Sequence, residues 1–225
     1  MNCCKCNDTG WIFDTENNTA FVCSCVNKGL SIIQFKNAGI NINDKDKSFN
    51  TFHVWNESSQ NIKNTGISYY SNFEKVRHTK QNSILLCGNP GSGKTHILLA
   101  LANNFISNKN LKIIYMNYRE VITHIKQNML DKEIYYREIK KHQATELLFI
   151  DDLFKGKITE SDINIMFEII NYRYINRLPL MISTEKNIDQ LLSIDEGTSS
   201  RIYEMCKDFL VEIVGKDNNY RLKEN

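Results

Sequence analysis

Proline is nearly missing from this chain. Among its 225 residues only Pro90 and Pro179 occur, so no proline-marked linker separates one part from another. Long hydrophobic runs are missing too. No apolar stretch reaches the ~18 residues that a membrane-spanning helix needs. The polar, cysteine-rich start lacks the apolar core of a signal peptide, and a cytoplasmic location is the expectation. Neither sign of charge dominates: 28 Lys and Arg against 26 Asp and Glu leave a formal net charge of +2. A nucleic-acid surface would therefore have to be a local patch and not a global field. Internal repeats and low-complexity tails are absent. What remains is ordinary for a soluble globular protein, 41% hydrophobic and 24% charged. The length suffices for one sizeable core and a small appendage.

Cysteine is not scarce. Seven are present, as Cys3, Cys4 and Cys6, then Cys23 and Cys25, then the isolated Cys87 and Cys206. In a reducing compartment such a number points away from disulfides. Cys3 and Cys6 form a C-x-x-C knuckle, and Cys23 and Cys25 a C-x-C. Two close pairs of thiolates are what a tetrahedral zinc site takes. Between them, Trp11-Ile12-Phe13 and Ala20-Phe21-Val22 flank a polar turn and read as a short hairpin. So small a segment buries too little surface to fold unaided, and a metal would supply the stability. Incidental thiols on a frayed terminus are the alternative. Cys4 is the spare. Residues 1–26 are thus expected to form a zinc-knuckle module and residues 27–80 a helical connecting region. In the latter, a short helix ends near Gly39, an aromatic cluster gathers Phe49, Phe52 and Trp55, and helical spacing runs from Asn61 to His78 despite Gly66.

From residue 81 onward the pattern is α/β. Short apolar runs at 83–87, 112–116, 146–150, 180–183 and 208–213 alternate with helical stretches, notably 95–107 and 161–177. Continuous apolar strands joined by helices imply a parallel five-stranded sheet covered on both faces. Cys87 and Cys206 fall within this pattern as small buried residues.

The chemistry is concentrated at strand ends. Gly88-Asn89-Pro90-Gly91-Ser92-Gly93-Lys94-Thr95 matches the phosphate-binding pattern G-x-x-x-x-G-K-[ST] in full, between an expected strand and an expected helix. Its glycines let backbone N–H groups converge on phosphate oxygens. Lys94 can reach the β- and γ-phosphates and Thr95 can ligate Mg²⁺, while His96 follows in the first helical turn. The run Leu147–Ile150 ends in two carboxylates, Asp151 for the Mg²⁺ shell and Asp152 for polarising the attacking water. Many ATPases carry glutamate at that second position, and the shorter aspartate predicts slow hydrolysis. Thr184 and Glu185, at the end of another strand, are candidates to sense the γ-phosphate. Asn187 is read as a helix cap. Arg201 is read as opening a helix and reaching a neighbouring subunit's phosphate, and Arg221 as folding back on the nucleotide of its own subunit. Surface salt bridges are the alternative for both.

These motifs, together with CNDTGWIF, VCSC, NAGI, SFNTF, LLFIDDLFKGKITESD, SSRIYEMC and NNYRLK, resemble the AAA+ replicative-helicase loaders of the DnaC/DnaI type over nearly the whole length. The resemblance implies an AAA+ P-loop core at 81–225 with ATP bound between protomers. Lys94, Thr95 and Asp151 would hold ATP and Mg²⁺, with Asp152 as catalytic acid. Thr184-Glu185 would fall at sensor 1, Arg201 at the arginine finger and Arg221 at sensor 2. The zinc module would dock on a DnaB-type hexameric helicase. The core would touch single-stranded DNA, with Arg119, Lys155 and Lys157 as candidate contacts. Departing from the usual asparagine, Thr184-Glu185 leaves the sensor role open. An IstB-type transposition-helper ATPase shares the core but generally lacks the knuckle. A P-loop small-molecule kinase would need a lid and basic residues acting in cis. A purely structural nucleotide fits poorly with the retained Asp152.

Overall fold

The computed structural model describes residues 3–7, 9, 11–14, 17, 19–23, 33–215 and 218–222. Five strands build one parallel sheet: β3 (Ile84–Gly88), β4 (Ile113–Asn117), β5 (Leu147–Asp151), β6 (Leu180–Thr184) and β7 (Leu210–Ile213). Their order across the sheet is β4-β5-β6-β3-β7, and every neighbouring pair is parallel. The five expected strands are therefore present, each within about two residues of its expected start.

Side-chain alternation along these strands divides the core in two. Ile84, Leu86, Phe149 and Met181 face one side, where α1 (Glu57–Val76) and α2 (Lys94–Lys109) pack. Leu85, Cys87, Ile150 and Ile182 face the other. That face is covered by α3 (Tyr118–Gln127), α4 (Lys132–Ala144), α5 (Glu160–Ile175), α6 (Ile188–Ile194) and α7 (Glu196–Cys206). Cys87 and Cys206 are both fully buried in this second core, as their surroundings in the sequence suggested. The helices α3 and α4 were not assigned from the sequence.

Residues upstream of the sheet belong to its first core and not to a detached linker. Ile62, Tyr69 and Phe73 of α1 are fully buried among sheet and α2 residues. Gly66 permits that contact, because a methyl group there would sit 2.7 Å from Ile97 Cγ2 and 3.2 Å from the Phe49 ring. The short helical turn at 33–38 ends as expected at Gly39, in the left-handed region at φ +75°. Leu30, read as part of that helix, lies outside the described residues.

Near the amino terminus, β1 (Trp11–Asp14) pairs antiparallel with β2 (Thr19–Val22), Trp11 opposite Val22. This register sets Cys23 beside the chain that enters from the Cys3–Cys6 turn. Trp11, Phe13 and Phe21 are all about half-exposed or more. Among the described residues no helix is long and apolar enough to cross a membrane.

Candidate nucleotide-binding site

Parallel register aligns the strand ends. Asn117 lies opposite Asp151, Cys87 opposite Thr184 and Gly88 opposite Ile213, so the polar residues after each strand share one sheet edge. Gly88 starts the phosphate loop there. It takes φ +102°, and a methyl group would meet the Ile213 carbonyl oxygen at 2.1 Å. The loop then closes on Gly93 at φ +90°, which is the N-cap of α2 and leaves that helix's first N–H groups free for an anion.

Lys94 is almost wholly buried. Its Nζ donates to the carbonyls of Gly88 (2.9 Å) and Asn89 (2.6 Å) and to Ser92 Oγ (3.3 Å). Burial lowers its pKa to about 8, against the opposing pull of Glu185 and Asp152. A cation held only by neutral oxygens is poised to exchange them for a phosphate. Thr95 Oγ1 donates to Asp151 Oδ1 at 2.8 Å. Two hard oxygen donors so close suit Mg²⁺, which binds through one or two carboxylates plus substrate phosphates.

Two residues that the sequence did not single out hold Asp151 in place. Ser183 Oγ donates to its Oδ1 at 2.5 Å, and the Tyr115 hydroxyl to its Oδ2 at 2.9 Å. Burial, then the neighbouring Asp151 charge, pushes the Tyr115 pKa well up, so the phenol remains a donor. Both residues come from separate strands and meet Asp151 only through sheet register, which leaves no local signal.

A cleft of about 570 Å³ opens over the loop, lined by Gly91–His96, Asp152, Lys155, Glu185 and Arg221. Its size falls within the range of small-molecule sites. The far wall is aromatic. Trp55 lies 4.8 Å from Tyr220 and 5.8 Å from Phe52 between ring centroids, and His53 lies 5.9 Å from Tyr220. Tyr220 is held by its own N–H on the Gly91 carbonyl at 3.0 Å. The cluster of Phe49, Phe52 and Trp55 was visible in the sequence, but nothing local indicated that Phe52 and Trp55 line the cleft while Phe49 packs toward Gly66. An aromatic wall opposite a phosphate cradle is suited to stacking a nucleobase.

Among the expected site residues, the cleft thus gathers Pro90, Gly91, Ser92, Gly93, Lys94, Thr95, His96, Asp152 and Arg221, with Asp151 beneath Thr95. Gly88 and Asn89 support the loop from behind, Asn89 through its Nδ2 on the Gly215 carbonyl. His96 bonds the Ser48 carbonyl at 3.0 Å and packs edge-on against Phe52, so it shapes the wall. Thr184 lies off the cleft. It is fully buried, its Oγ1 donates to the Leu153 carbonyl at 2.7 Å, and it accepts the Lys186 N–H at 3.1 Å. The neighbour facing the cleft is Glu185. Asn187 caps α6 as expected, accepting the Gln190 N–H at 2.8 Å.

Arg201 also differs from expectation. It lies in the second turn of α7 and does not open it; Asp195 caps that helix. Its guanidinium sits over the Phe167 and Tyr174 rings, and its Nη1 donates to the Gly197 carbonyl at 2.5 Å. It does not line the cleft of its own chain.

At the amino terminus the Sγ atoms of Cys3, Cys6 and Cys23 lie within 4.8 Å of one another, with Cys3 and Cys23 at 3.7 Å. Zinc–sulfur bonds of about 2.3 Å at tetrahedral angles would set sulfurs about 3.8 Å apart, so these residues fit the ion. Cys4 points to solvent, in keeping with its reading as the spare. Cys25, the fourth expected ligand, lies outside the described residues.

Comparison with known proteins gives the same picture of the core. Residues 53–224 match the family described as IstB-like ATP binding protein. The Bacillus subtilis (strain 168) protein YqaM is 42% identical over 154 residues, covering 66% of this chain and 48% of YqaM. XkdC, a phage-like element PBSX protein from the same organism, is 38% identical over 162 residues, covering 69% of this chain and 60% of XkdC. The chain thus spans only about half the length of these relatives. Among solved structures, the DnaC helicase loader superposes with a TM-score of 0.66 at 23% identity, over 77% of this chain and all of that one. The fold is therefore the AAA+ P-loop core.

Proposed function

The chain belongs to the IstB-like ATP-binding protein family, and from that premise we propose that it is an ATP-hydrolysing loader of the hexameric replicative helicase. In this reading a module at 1–26 docks on the helicase, and the core at 81–225, with residues of the 27–80 segment packed on it and lining its cleft, binds ATP between protomers and touches single-stranded DNA. The protein works in the cytoplasm and self-associates through its AAA+ faces.

Lys94 leaves the Gly88 and Asn89 carbonyls for the β- and γ-phosphates, and the aromatic wall holds the base. Thr95 and Asp151 hold Mg²⁺, which when bound neutralises charge on the phosphates. Ser183 and Tyr115 keep the Asp151 carboxylate aimed at that position. Asp152 takes the proton from water as the water oxygen bonds to the γ-phosphorus. The bond from that phosphorus to the β–γ bridging oxygen breaks, and its electron pair leaves with ADP. Arg221 contacts the nucleotide of its own chain. Arg201, turned away from that cleft, approaches the nucleotide of a neighbour, where added positive charge stabilises the transition state.

The observation that carries the loader reading over the transposition-helper reading is the thiol cluster of Cys3, Cys6 and Cys23 ahead of the ATPase. With Cys25, which lies outside the described residues, it would supply four thiolates for zinc. The hairpin it staples presents Trp11 and Phe13, 49% and 70% exposed, where a partner can cover them. Arg119 and Lys157 would offer basic groups to DNA phosphates, whereas Lys155, the third expected contact, is paired with Asp152 and Glu185. A pull-down of purified hexameric replicative helicase by the full chain, with and without ATP, tests the reading. Association that weakens at least tenfold when Cys3 and Cys6 are both changed to serine is expected. Absence of association under either nucleotide condition would favour the transposition-helper alternative.

A further inference from the structure

One ion-pair cluster lining the cleft lies outside the phosphate loop. Lys155 Nζ spans two carboxylates, Asp152 Oδ2 at 2.8 Å and Glu185 Oε1 at 3.1 Å. Neither carboxylate has another ion-pair partner among the described residues.

The backbones on both sides of this bridge are pinned. Asp152 takes φ +58°, and its N–H donates to Ser183 Oγ at 2.8 Å. The chain then turns sharply. Phe154 is also at φ +58° with its ring fully buried, and the Lys155 N–H bonds the Asp152 carbonyl at 3.1 Å. Left-handed conformations cost of order 1 kcal/mol for such residues and persist only where packing imposes them. The imposed turn brings Lys155 back over Asp152. Opposite, the two hydrogen bonds of the buried Thr184 hydroxyl hold the backbone next to Glu185. Two carboxylates on fixed supports are thus joined by one flexible side chain, 41% exposed and open to competition from solvent. The hydrogen bond to Asp152 raises the Lys155 pKa, so the link stays charged at neutral pH.

We propose that Lys155 is a positioning residue for Asp152: while paired, it keeps the carboxylate turned to Glu185 and unavailable to the attacking water, and release of the pair switches hydrolysis on. This rests on the reading of the cleft as an ATP site. While Oδ2 accepts from the ammonium group the carboxylate is held in one orientation, which sets where its remaining lone pairs can meet a water proton. Any anion that competes for Lys155 would act as an activator, which couples turnover to whatever binds beside the cleft.

The test is Lys155→Met, which keeps the length of the side chain and removes its charge. ATP binding is measured by titration with a fluorescent ATP analogue, and turnover at saturating ATP. The expected result is about a fivefold rise in kcat, equivalent to ~1 kcal/mol, with affinity within twofold of wild type. Lys155→Arg should restore the wild-type rate. An unchanged or lower kcat would overturn the proposal. So would a tenfold loss of affinity without a rise in kcat, which would make Lys155 a phosphate ligand. If the wild-type chain binds no ATP, the nucleotide reading itself fails, and the binding arm shows that independently of turnover.

Discussion

Lys94→Ala should weaken ATP binding by about a hundredfold, or roughly 3 kcal/mol, the worth of charge-assisted bonds to phosphate. In the structure the ammonium group is almost wholly buried and its hydrogen bonds among the described residues go to two carbonyls and a hydroxyl. Its desolvation is therefore already in place, and phosphate oxygens improve on its neutral partners. Isothermal titration with ATP and Mg²⁺ measures the loss, and unchanged affinity would remove the phosphate-loop assignment. A pH series provides a companion check. The free-state pKa of Lys94 is lowered to about 8, and bound phosphate should raise it. Affinity should then be flat below pH 8 and fall as pH rises above it, with proton uptake on binding in that range.

The second large effect concerns stability. Arg173→Leu should destabilise the fold by about 3–5 kcal/mol, a large share of the 5–15 kcal/mol typical of a domain. Arg173 projects from α5 and is fully buried. Its Nη1 donates to the carbonyls of His142, Gln143 and Thr145, and its Nη2 to that of Pro179, all within 3.0 Å. Burial pushes its pKa down, and no carboxylate pairs with it among the described residues. The guanidinium thus serves as a C-cap for α4, whose last carbonyls lack helical partners, and ties it to the entry of β6. Leucine would fill much of the space and take the guanidinium donor from four carbonyls, of which that of Pro179 keeps the Leu148 N–H at 3.3 Å. Urea denaturation reads the change. Arg173→Lys, which keeps the charge but not the fork, should lose less. A shift below 1 kcal/mol for Arg173→Leu would show that water or rearranged chain replaces the cap.

Arg173 also marks where sequence reading stops. In a window such as IINYRYINR an arginine looks like a surface residue, and only the packed structure shows that it stands among carbonyls. The opposite holds for Gly88–Thr95 and Leu147–Asp152. There the chemistry needs consecutive residues in a local strand-to-loop pattern, so the motifs identify the loop and the acidic strand tip unaided. The partners of Asp151 were illegible because Tyr115 and Ser183 reach it from other strands. Thr184 and Glu185 were indistinguishable in sequence because successive residues at a strand end point to opposite sides, and register alone assigns Glu185 to the cleft. Helix α4 escaped notice for a related reason. Its KEIYYREIKKHQA is strongly polar and buries only Ile139 and His142, so its apolar periodicity is faint.

The central claim is that hydrolysis takes place at a site shared by two protomers, with Asp152 from one and Arg201 from the next. Turnover in an equimolar mixture of Asp152→Asn and Arg201→Ala chains measures this most directly. Each variant alone should bind ATP but hydrolyse it at least a hundredfold more slowly than wild type. Random mixing pairs an intact Asp152 with an intact Arg201 at about one interface in four, so the mixture should recover up to about a quarter of wild-type turnover. A mixture as inactive as its components, or an Arg201→Ala chain as active as wild type, would contradict a shared site.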